Sequence, residues 1–199
     1  MVLFVHIPKT GGTSIEKTLV SQGALEALNF GPPFAFTKLK PQHLEGEVLQ
    51  AWIPNSFYDY AFCVVRNPYE RLVSEYFWRQ SISEQKLPEF SNWFEKKFGR
   101  FEKNPYVLRN HIRPQSDFLV PSAEVFRLED GLSAPIERAL AALELPGIGD
   151  SKVKHRRKSR PIQVDVTLEQ IEKIKDFYAQ DFEKFGYSPD DIPELLHTV

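Results

Sequence analysis

The segment from His6 to Ser14, with the sequence HIPKTGGTS, constrains the fold of this chain more than any other feature. A short apolar, β-rich run over residues 2–7 leads into it and predicts a buried strand. Gly11 and Gly12 permit a tight turn, and apolar residues then follow helical spacing from Thr13 to about Gln22. The chain therefore opens with a strand, a glycine loop and a helix.

This loop has the residues of a phosphate-binding site. The N–H groups at the start of a helix and the helix dipole favour an anion. Lys9 adds a movable positive charge, and Thr13 and Ser14 add hydroxyl donors. In the common nucleoside-triphosphate loop the lysine follows the glycines, whereas Lys9 precedes them. We therefore expect a phosphate-binding loop of a different kind.

A second buried strand is predicted at 60–65, and it ends at Arg66. Metal-dependent triphosphate enzymes often carry an Asp at the end of the equivalent strand, where it helps to hold magnesium. A fixed guanidinium instead suits a second phosphate and repels a metal. Ser74 follows about two helical turns later and can present a hydroxyl to the same anion. Taken alone, Arg66 is better explained by a structural salt bridge, and Ser74 by a solvated helix position.

Further strands and helices are predicted from apolar spacing and capping residues. Asn67 as N-cap, Pro68 at the first helical position and Glu70 in a capping-box pattern predict a helix to about Gln80. The other predicted elements are a short helix near 45–52, a strand at 125–128, a helix at 135–145 and a last helix that opens at Thr167 with Gln170 and stops at Gly186. The predicted buried positions are Leu72, Val73, Tyr76 and Phe77 in the first of these helices and Leu168, Ile171, Ile174, Phe177, Tyr178 and Phe182 in the last. This alternation indicates an α/β fold, with a parallel sheet covered on both faces, in a single domain over residues 1–199.

Composition excludes several classes of protein. The single cysteine, Cys63, lies in an apolar run, so we expect a small buried side chain and no internal disulfide. No His/Cys cluster has zinc spacing, and no metal site is expected. No apolar stretch is long enough to span a membrane and no leader segment is evident, which predicts a cytoplasmic protein, with a trimmed lumenal domain as the alternative. A net charge of −2 argues against general nucleic-acid binding, although residues 152–160 hold six cations and no acid.

Two segments, residues 6–14 and 65–76, resemble the signature segments of the sulfotransferases. The resemblance is closest to the carbohydrate sulfotransferases, in the group that contains heparan sulfate 2-O-sulfotransferase. It implies a three-layer α/β/α fold with a central parallel sheet, which is a P-loop-like nucleotide-binding fold. It also implies the donor 3′-phosphoadenosine 5′-phosphosulfate (PAPS), with adenosine 3′,5′-bisphosphate as product and no metal. The resemblance is strong over 2–20 and 60–78 and slight over most of 21–59 and 79–110, where acceptor contacts are expected.

The resemblance also implies which residues bind the donor. By this resemblance, the residues that hold the 5′-phosphosulfate are Lys9, Thr10, Gly11, Gly12, Thr13 and Ser14. Arg66 and Ser74 hold the 3′-phosphate. A late loop that closes over the nucleotide contains Arg157, Lys158, Ser159 and Arg160. Lys9 is also the candidate that stabilises the leaving group.

An acceptor hydroxyl must lose a proton, and histidine is the natural base near neutral pH. His43 is our first candidate, because the family often places a catalytic histidine between its two signature segments; the alternative is a surface or helix-capping histidine. His111 is the second candidate and Glu45 a weaker carboxylate one. The remaining histidines are less suitable, since His6 is expected to be structural, His155 lies in the basic run and His197 lies near the end of the chain.

The sequence therefore predicts a PAPS-dependent sulfotransferase acting on a hydroxyl, with an amine as second choice. A carbohydrate acceptor is favoured, while a polysaccharide, a lipid-linked sugar, a small metabolite and a peptide all stay open, as does the oligomeric state. The alternatives are a P-loop kinase or nucleotide hydrolase, and a non-catalytic nucleotide-binding protein of the same fold. Lys9 before the glycines and Arg66 at the strand end both argue against the kinase.

Overall fold

The computed structural model describes residues 1–26, 40–149 and 163–199. In chain order, the described elements are β1 (Val2–Val5), α1 (Gly12–Ser21), α2 (Gly46–Trp52), β2 (Tyr60–Val65), α3 (Pro68–Ile82), α4 (Phe90–Phe101), β3 (Ala123–Arg127), α5 (Ser133–Ala142), β4 (Val164–Val166), α6 (Leu168–Phe177), α7 (Ala179–Phe185) and β5 (Leu196–Thr198). This is the mixed α/β composition with parallel strands that the sequence predicts. The chain contacts divide into two compact units, one within Met1–Arg66 and Asp117–Lys158 and the other within Asn67–Ser116 and Ser159–Val199.

The first unit is built on a three-stranded parallel sheet in the order β1-β2-β3. Val5 aligns with Cys63, and Val65 aligns with Arg127, so the carboxyl ends of the three strands lie at one edge. The central strand is buried from Ala61 to Val65, as expected for a strand that pairs on both sides. Cys63 has no exposed surface, and burial raises the pKa of its thiol to about 12. The predicted small buried cysteine is therefore confirmed, and its thiol stays protonated.

A hydrophobic core covers one face of this sheet. Phe62 and Val64 of β2 pack with Ile15 and Leu19 of α1 and with apolar residues of α5, including Ile136 and Leu140. Each large apolar side chain that is fully buried in this way contributes roughly 1.5–3 kcal/mol. Because β1 and α1 are both anchored in this unit, the loop that joins them is fixed at both ends.

In the second unit, α3 begins as the sequence predicts. The Asn67 side-chain oxygen accepts hydrogen bonds from the N–H groups of Tyr69, at 3.0 Å, and Glu70, at 3.4 Å. The helix continues two residues past the predicted end, to Ile82. Leu72, Val73 and Tyr76 are buried as predicted, whereas Phe77 is only half-buried.

The predicted last helix is two helices, which is a correction. Thr167 and Gln170 form the predicted capping box at the start of α6. The helix then breaks at Tyr178, whose buried hydroxyl donates to the Ile112 carbonyl at 2.7 Å. Gly186, at φ +67°, ends α7 as predicted.

Two predicted buried positions in this region are wrong. Leu168 is 70% exposed, because the buried stripe of α6 begins one turn later, at Ile171. Phe177 is half-buried and packs on the rings of Phe98 and Phe101, whose centroids are 4.7 and 4.9 Å from its own.

A two-stranded parallel sheet of β4 and β5 was not predicted, because its strands have only three residues each. Val164 pairs with Leu196 and Val166 pairs with Thr198. None of the helices in the described ranges combines the length and apolar character that a membrane crossing needs.

Candidate functional site

The glycine loop between β1 and α1 adopts a tight conformation with two positive φ angles. Lys9 has φ +70° and Gly11 has φ +87°. A non-glycine residue in this region costs about 1–2 kcal/mol, so packing around the loop must hold Lys9 there. Thr10 is fully buried, and its hydroxyl donates to the Ile7 carbonyl at 2.9 Å. The Thr10 hydroxyl therefore closes the loop.

The two glycines are required for different reasons. Gly11 is the residue before α1 and needs its positive φ. Gly12 needs its lack of a side chain, because a methyl group there would lie 2.2 Å from Nε2 of His6 and 2.4 Å from its Cδ2. The imidazole of His6 thus lies directly against the first turn of α1. In that turn the N–H groups of Gly12 and Thr13 have no intrahelical acceptor, and the Thr13 side chain is exposed.

His6 forms a buried pair with Glu16. Its Nδ1 lies 2.5 Å from Glu16 Oε1, and the two side chains are only 7% and 11% exposed. The ring also stacks on Phe4, at a centroid distance of 5.4 Å. These contacts agree with the structural role expected for His6. Sequence reasoning missed Glu16, because an acid on the polar side of a helix gives no signal of a buried partner.

His43 is buried beside this pair, at 6% exposure, so a surface position for His43 is wrong. Its Nδ1 lies 3.1 Å from the carbonyl oxygen of His6, which only accepts, so Nδ1 donates this hydrogen bond. In the neutral ring Nε2 then keeps its lone pair. Gln42 Nε2 lies 3.3 Å from His43 Nε2 and can donate to it. This is the tautomer that a general base needs.

Arg66 follows the last residue of β2 and is half-buried. Since β1 and β2 are parallel and aligned, the glycine loop and Arg66 lie at the same carboxyl edge of the sheet. Ligands of open α/β sheets bind at this edge. Arg127, the last residue of β3, aligns with Val65 and adds a third cationic residue there. Sequence reasoning missed Arg127, although a cation at a strand end was an available signal.

The structure describes three further candidates. Ser74 is a half-buried residue of α3, in the second unit. Glu45 is 9% exposed and lies directly before α2. His197 is exposed and pairs with Asp165 at 3.0 Å. Residues 152–160, with Arg157, Lys158, Ser159, Arg160 and His155, lie outside the described residues.

His111 lies in a buried ionic network of the second unit. Its Nδ1 is 2.8 Å from Oε2 of Glu75, and Arg79 Nε donates to the other oxygen of Glu75 at 2.6 Å. The His111 ring also stacks on Trp78 at 5.1 Å. Burial by itself would raise the pKa of Glu75, but the charges and hydrogen bonds of His111 and Arg79 outweigh it and hold that pKa below its usual value. These contacts fix the orientation of the imidazole.

The first unit thus combines a cation-rich edge of the sheet with an oriented histidine. Lys9, the first turn of α1 and Arg66 supply positive charge and hydrogen-bond donors at one edge of the sheet. His43 is tied to His6, whose ring touches that same turn. Such a site can bind phosphate or sulfate groups and accept a proton. Within residues 1–26, 40–149 and 163–199, no three His, Cys, Asp or Glu side chains cluster as metal ligands.

Comparison with known proteins identifies the family. A search of curated proteins found no match, and a search of solved structures found none. The model of the sulfotransferase family matches residues 1–188, which include the glycine loop, His43 and Arg66. Since this match covers nearly all of its 199 residues, the chain belongs to the sulfotransferase family.

Proposed function

We propose that this chain is a PAPS-dependent sulfotransferase that transfers the sulfuryl group to a hydroxyl of its acceptor, with an amine as second choice. The observation that carries the proposal is the shared carboxyl edge of β1 and β2, where the glycine loop and Arg66 lie, together with the oriented His43 in the same unit. A phosphate-rich ligand needs the donors, and an acceptor hydroxyl needs the base.

The donor set fits a doubly phosphorylated nucleotide. Lys9 and the first-turn N–H groups offer only donors to a ligand at the loop, and the hydroxyls of Thr13 and Ser14 can donate as well, which suits the 5′-phosphosulfate. Thr10 contributes through its N–H, since its hydroxyl is used within the loop. Arg66 is our proposed ligand of the 3′-phosphate, because a guanidinium binds phosphate oxygens in pairs. The family resemblance adds Ser74, Arg157, Lys158, Ser159 and Arg160 to the nucleotide ligands.

In this proposal, each chain group has one task during transfer. When bound, PAPS supplies a sulfuryl group on a phosphate leaving group. The acceptor oxygen bonds to sulfur as the sulfur–oxygen bond to that phosphate breaks, and the Lys9 ammonium offsets the charge on the departing oxygen. His43 Nε2 takes the proton of the acceptor hydroxyl, and the His6 carbonyl stabilises the resulting imidazolium through Nδ1. His111, oriented by Glu75, is the second candidate for the base.

The proposal also covers the type of fold and the subgroup of the family. We propose that residues 1–199 act as a single sulfotransferase domain of the three-layer, P-loop-like α/β/α type. The family match over residues 1–188 supports this, because it includes residues of both units. A position in the heparan sulfate 2-O-sulfotransferase group, with a carbohydrate acceptor, rests on the resemblance of residues 6–14 and 65–76.

Titration calorimetry tests the nucleotide. We expect adenosine 3′,5′-bisphosphate to bind at least tenfold more tightly than AMP, ADP or ATP, with no effect of magnesium. The strongest binding to ATP, and only with magnesium, would instead identify a P-loop kinase or nucleotide hydrolase. Binding of the bisphosphate without sulfuryl transfer from PAPS to any hydroxyl or amine acceptor would support the non-catalytic alternative.

A further inference from the structure

An apolar cleft of about 210 Å³ opens in the first unit beside the proposed base. Its walls are mainly aliphatic and aromatic side chains of β1, α1, α2 and nearby loops, such as Phe4, Leu19, Leu49, Ile53 and Leu143. Its polar residues include His6, Glu16 and Gln42. Small-molecule sites have this character, with apolar walls and a few polar groups that orient the ligand.

The polar end of the cleft adjoins the proposed site of transfer. Gln42 lines the cleft, and its Nε2 lies 3.3 Å from Nε2 of His43. His6 also lines the cleft, and its ring lies against Gly12 of the loop. Oε2 of the lining residue Glu16 is buried and has no hydrogen-bond partner within the described ranges, so a polar ligand group at this wall would give it one. A ligand with its apolar part in the cleft would therefore place its polar end beside the base.

The charges along the cleft restrict its ligand. The described lining includes the acids Glu16 and Glu26 but neither Lys nor Arg. A carboxylated or sulfated polysaccharide needs cations to offset its charge, and the acids would repel it. The acids do not repel an uncharged ligand, and burial of its apolar surface in the cleft favours its binding.

We propose, resting on the sulfotransferase function above, that the acceptor is an uncharged hydroxyl compound with an alkyl or aryl group, and that this group occupies the cleft. The acceptor hydroxyl then lies at the polar end, near His43 and the glycine loop. Among the acceptor classes left open by the sequence, this selects a neutral amphipathic molecule over an anionic polysaccharide.

Two glycosides with identical hydroxyls test the proposal on the full chain. Hexyl β-D-glucoside, below its micelle concentration, should bind at least tenfold more tightly than methyl β-D-glucoside in calorimetry, since each buried methylene adds roughly fourfold. Equal affinities would overturn the proposal. Binding of adenosine 3′,5′-bisphosphate is measured separately. If the nucleotide binds and chain length has no effect, only the cleft proposal fails; if chain length matters and the nucleotide does not bind, the sulfotransferase function fails.

Matched variants locate the binding site. Ile53→Asp puts a charge on the half-buried cleft wall, and Leu25→Asp does so at a lining residue that is 99% exposed, where folding is not at risk. Both should reduce the preference for the hexyl glucoside to less than threefold. Ile82→Asp, at an exposed isoleucine outside the cleft lining, should keep it above tenfold. A preference that survives both cleft substitutions would overturn the proposal.

Discussion

Replacing Gly12 by alanine adds one methyl group where the imidazole of His6 lies. The new Cβ would be 2.2, 2.4 and 2.7 Å from three atoms of that ring. The ring has little freedom to move away, because Nδ1 is held by Glu16 at 2.5 Å and its face stacks on Phe4. Its edge-to-face contact with His43, at 4.7 Å, restricts it further.

Two effects of opposite sign set the magnitude. Alanine is better than glycine in a helix by about 0.5–1 kcal/mol, and Gly12 is the first residue of α1. Forcing an extra methyl into a packed site costs about 1–3 kcal/mol. The clash is the larger effect at the midpoints of these two ranges, so we expect Gly12→Ala to lower the free energy of unfolding by about 1 kcal/mol. Displacement of His6 should also move the carbonyl that orients His43, and sulfuryl transfer should fall with it.

Urea denaturation of four variants checks this reasoning: Gly12→Ala, Gly99→Ala, His6→Ala and the double variant His6→Ala/Gly12→Ala. Gly99→Ala is the matched control, because Gly99 lies in α4 with nothing within 4 Å of the added methyl, and this variant should be stabilised. In a His6→Ala background the clash is gone, so Gly12→Ala should then cost less or become stabilising. Wild-type or higher stability of the single Gly12→Ala variant would refute the packing argument.

Four further substitutions test the site and its surroundings. Lys9→Ala should lower the transfer rate by about 10²–10³-fold and weaken adenosine 3′,5′-bisphosphate much less, as measured by steady-state kinetics and calorimetry. Arg66→Ala should weaken that bisphosphate by at least about tenfold while AMP binding changes little. His43→Ala should keep nucleotide binding and lose transfer by at least about 10²-fold. Glu75→Gln should lower the free energy of unfolding at pH 7 by about 3–5 kcal/mol, because it leaves His111 and Arg79 without their buried partner. The pKa of Glu75 in the folded state lies below its usual 4.5. The stability that wild type has over Glu75→Gln is therefore fully present above about pH 4.5 and declines as the pH falls through the folded pKa.

Matched controls exist for the three site variants. Lys17→Ala removes an exposed lysine of α1, Arg138→Ala an exposed arginine of α5 and His197→Ala an exposed histidine of β5. All three should keep wild-type binding and transfer. Equal losses of nucleotide binding and transfer rate in Lys9→Ala would mean that Lys9 only binds the nucleotide and does not act on the leaving group. Retained turnover in His43→Ala would mean that His111 or another group is the base. If the pH dependence of unfolding is unchanged in Glu75→Gln, the ionic network does not stabilise the fold.

Local interactions explain which parts of the fold the sequence predicts well. The Asn67 cap bonds to N–H groups two and three residues away, and the capping box of Thr167 and Gln170 spans three residues. The glycine loop joins a strand and a helix that are adjacent in the chain. Such features depend on a few consecutive residues and therefore leave a readable pattern. Their bounds in the structure agree with the predicted ones to within about two residues at α1, α2, β2 and α3.

The parts that prediction missed depend on partners far apart in the chain. The break at Tyr178 accompanies a hydrogen bond to a carbonyl 66 residues away, and β4 and β5 are each too short to show a strand pattern until they pair. Arg127 lies at the same carboxyl edge of the sheet as Arg66 only because β3 pairs with β2.

The sequence alone thus determined the order of strand, glycine loop and helix at the start of the chain, the strand end at Arg66 and the family, because each is carried by a short run of residues. Only the tertiary structure decided that His43 donates to the His6 carbonyl, 37 residues away, and that a mainly apolar cleft lies beside it. The reason is physical: a tautomer and a cleft are set by which distant groups pack together, and no local pattern of residue types specifies that.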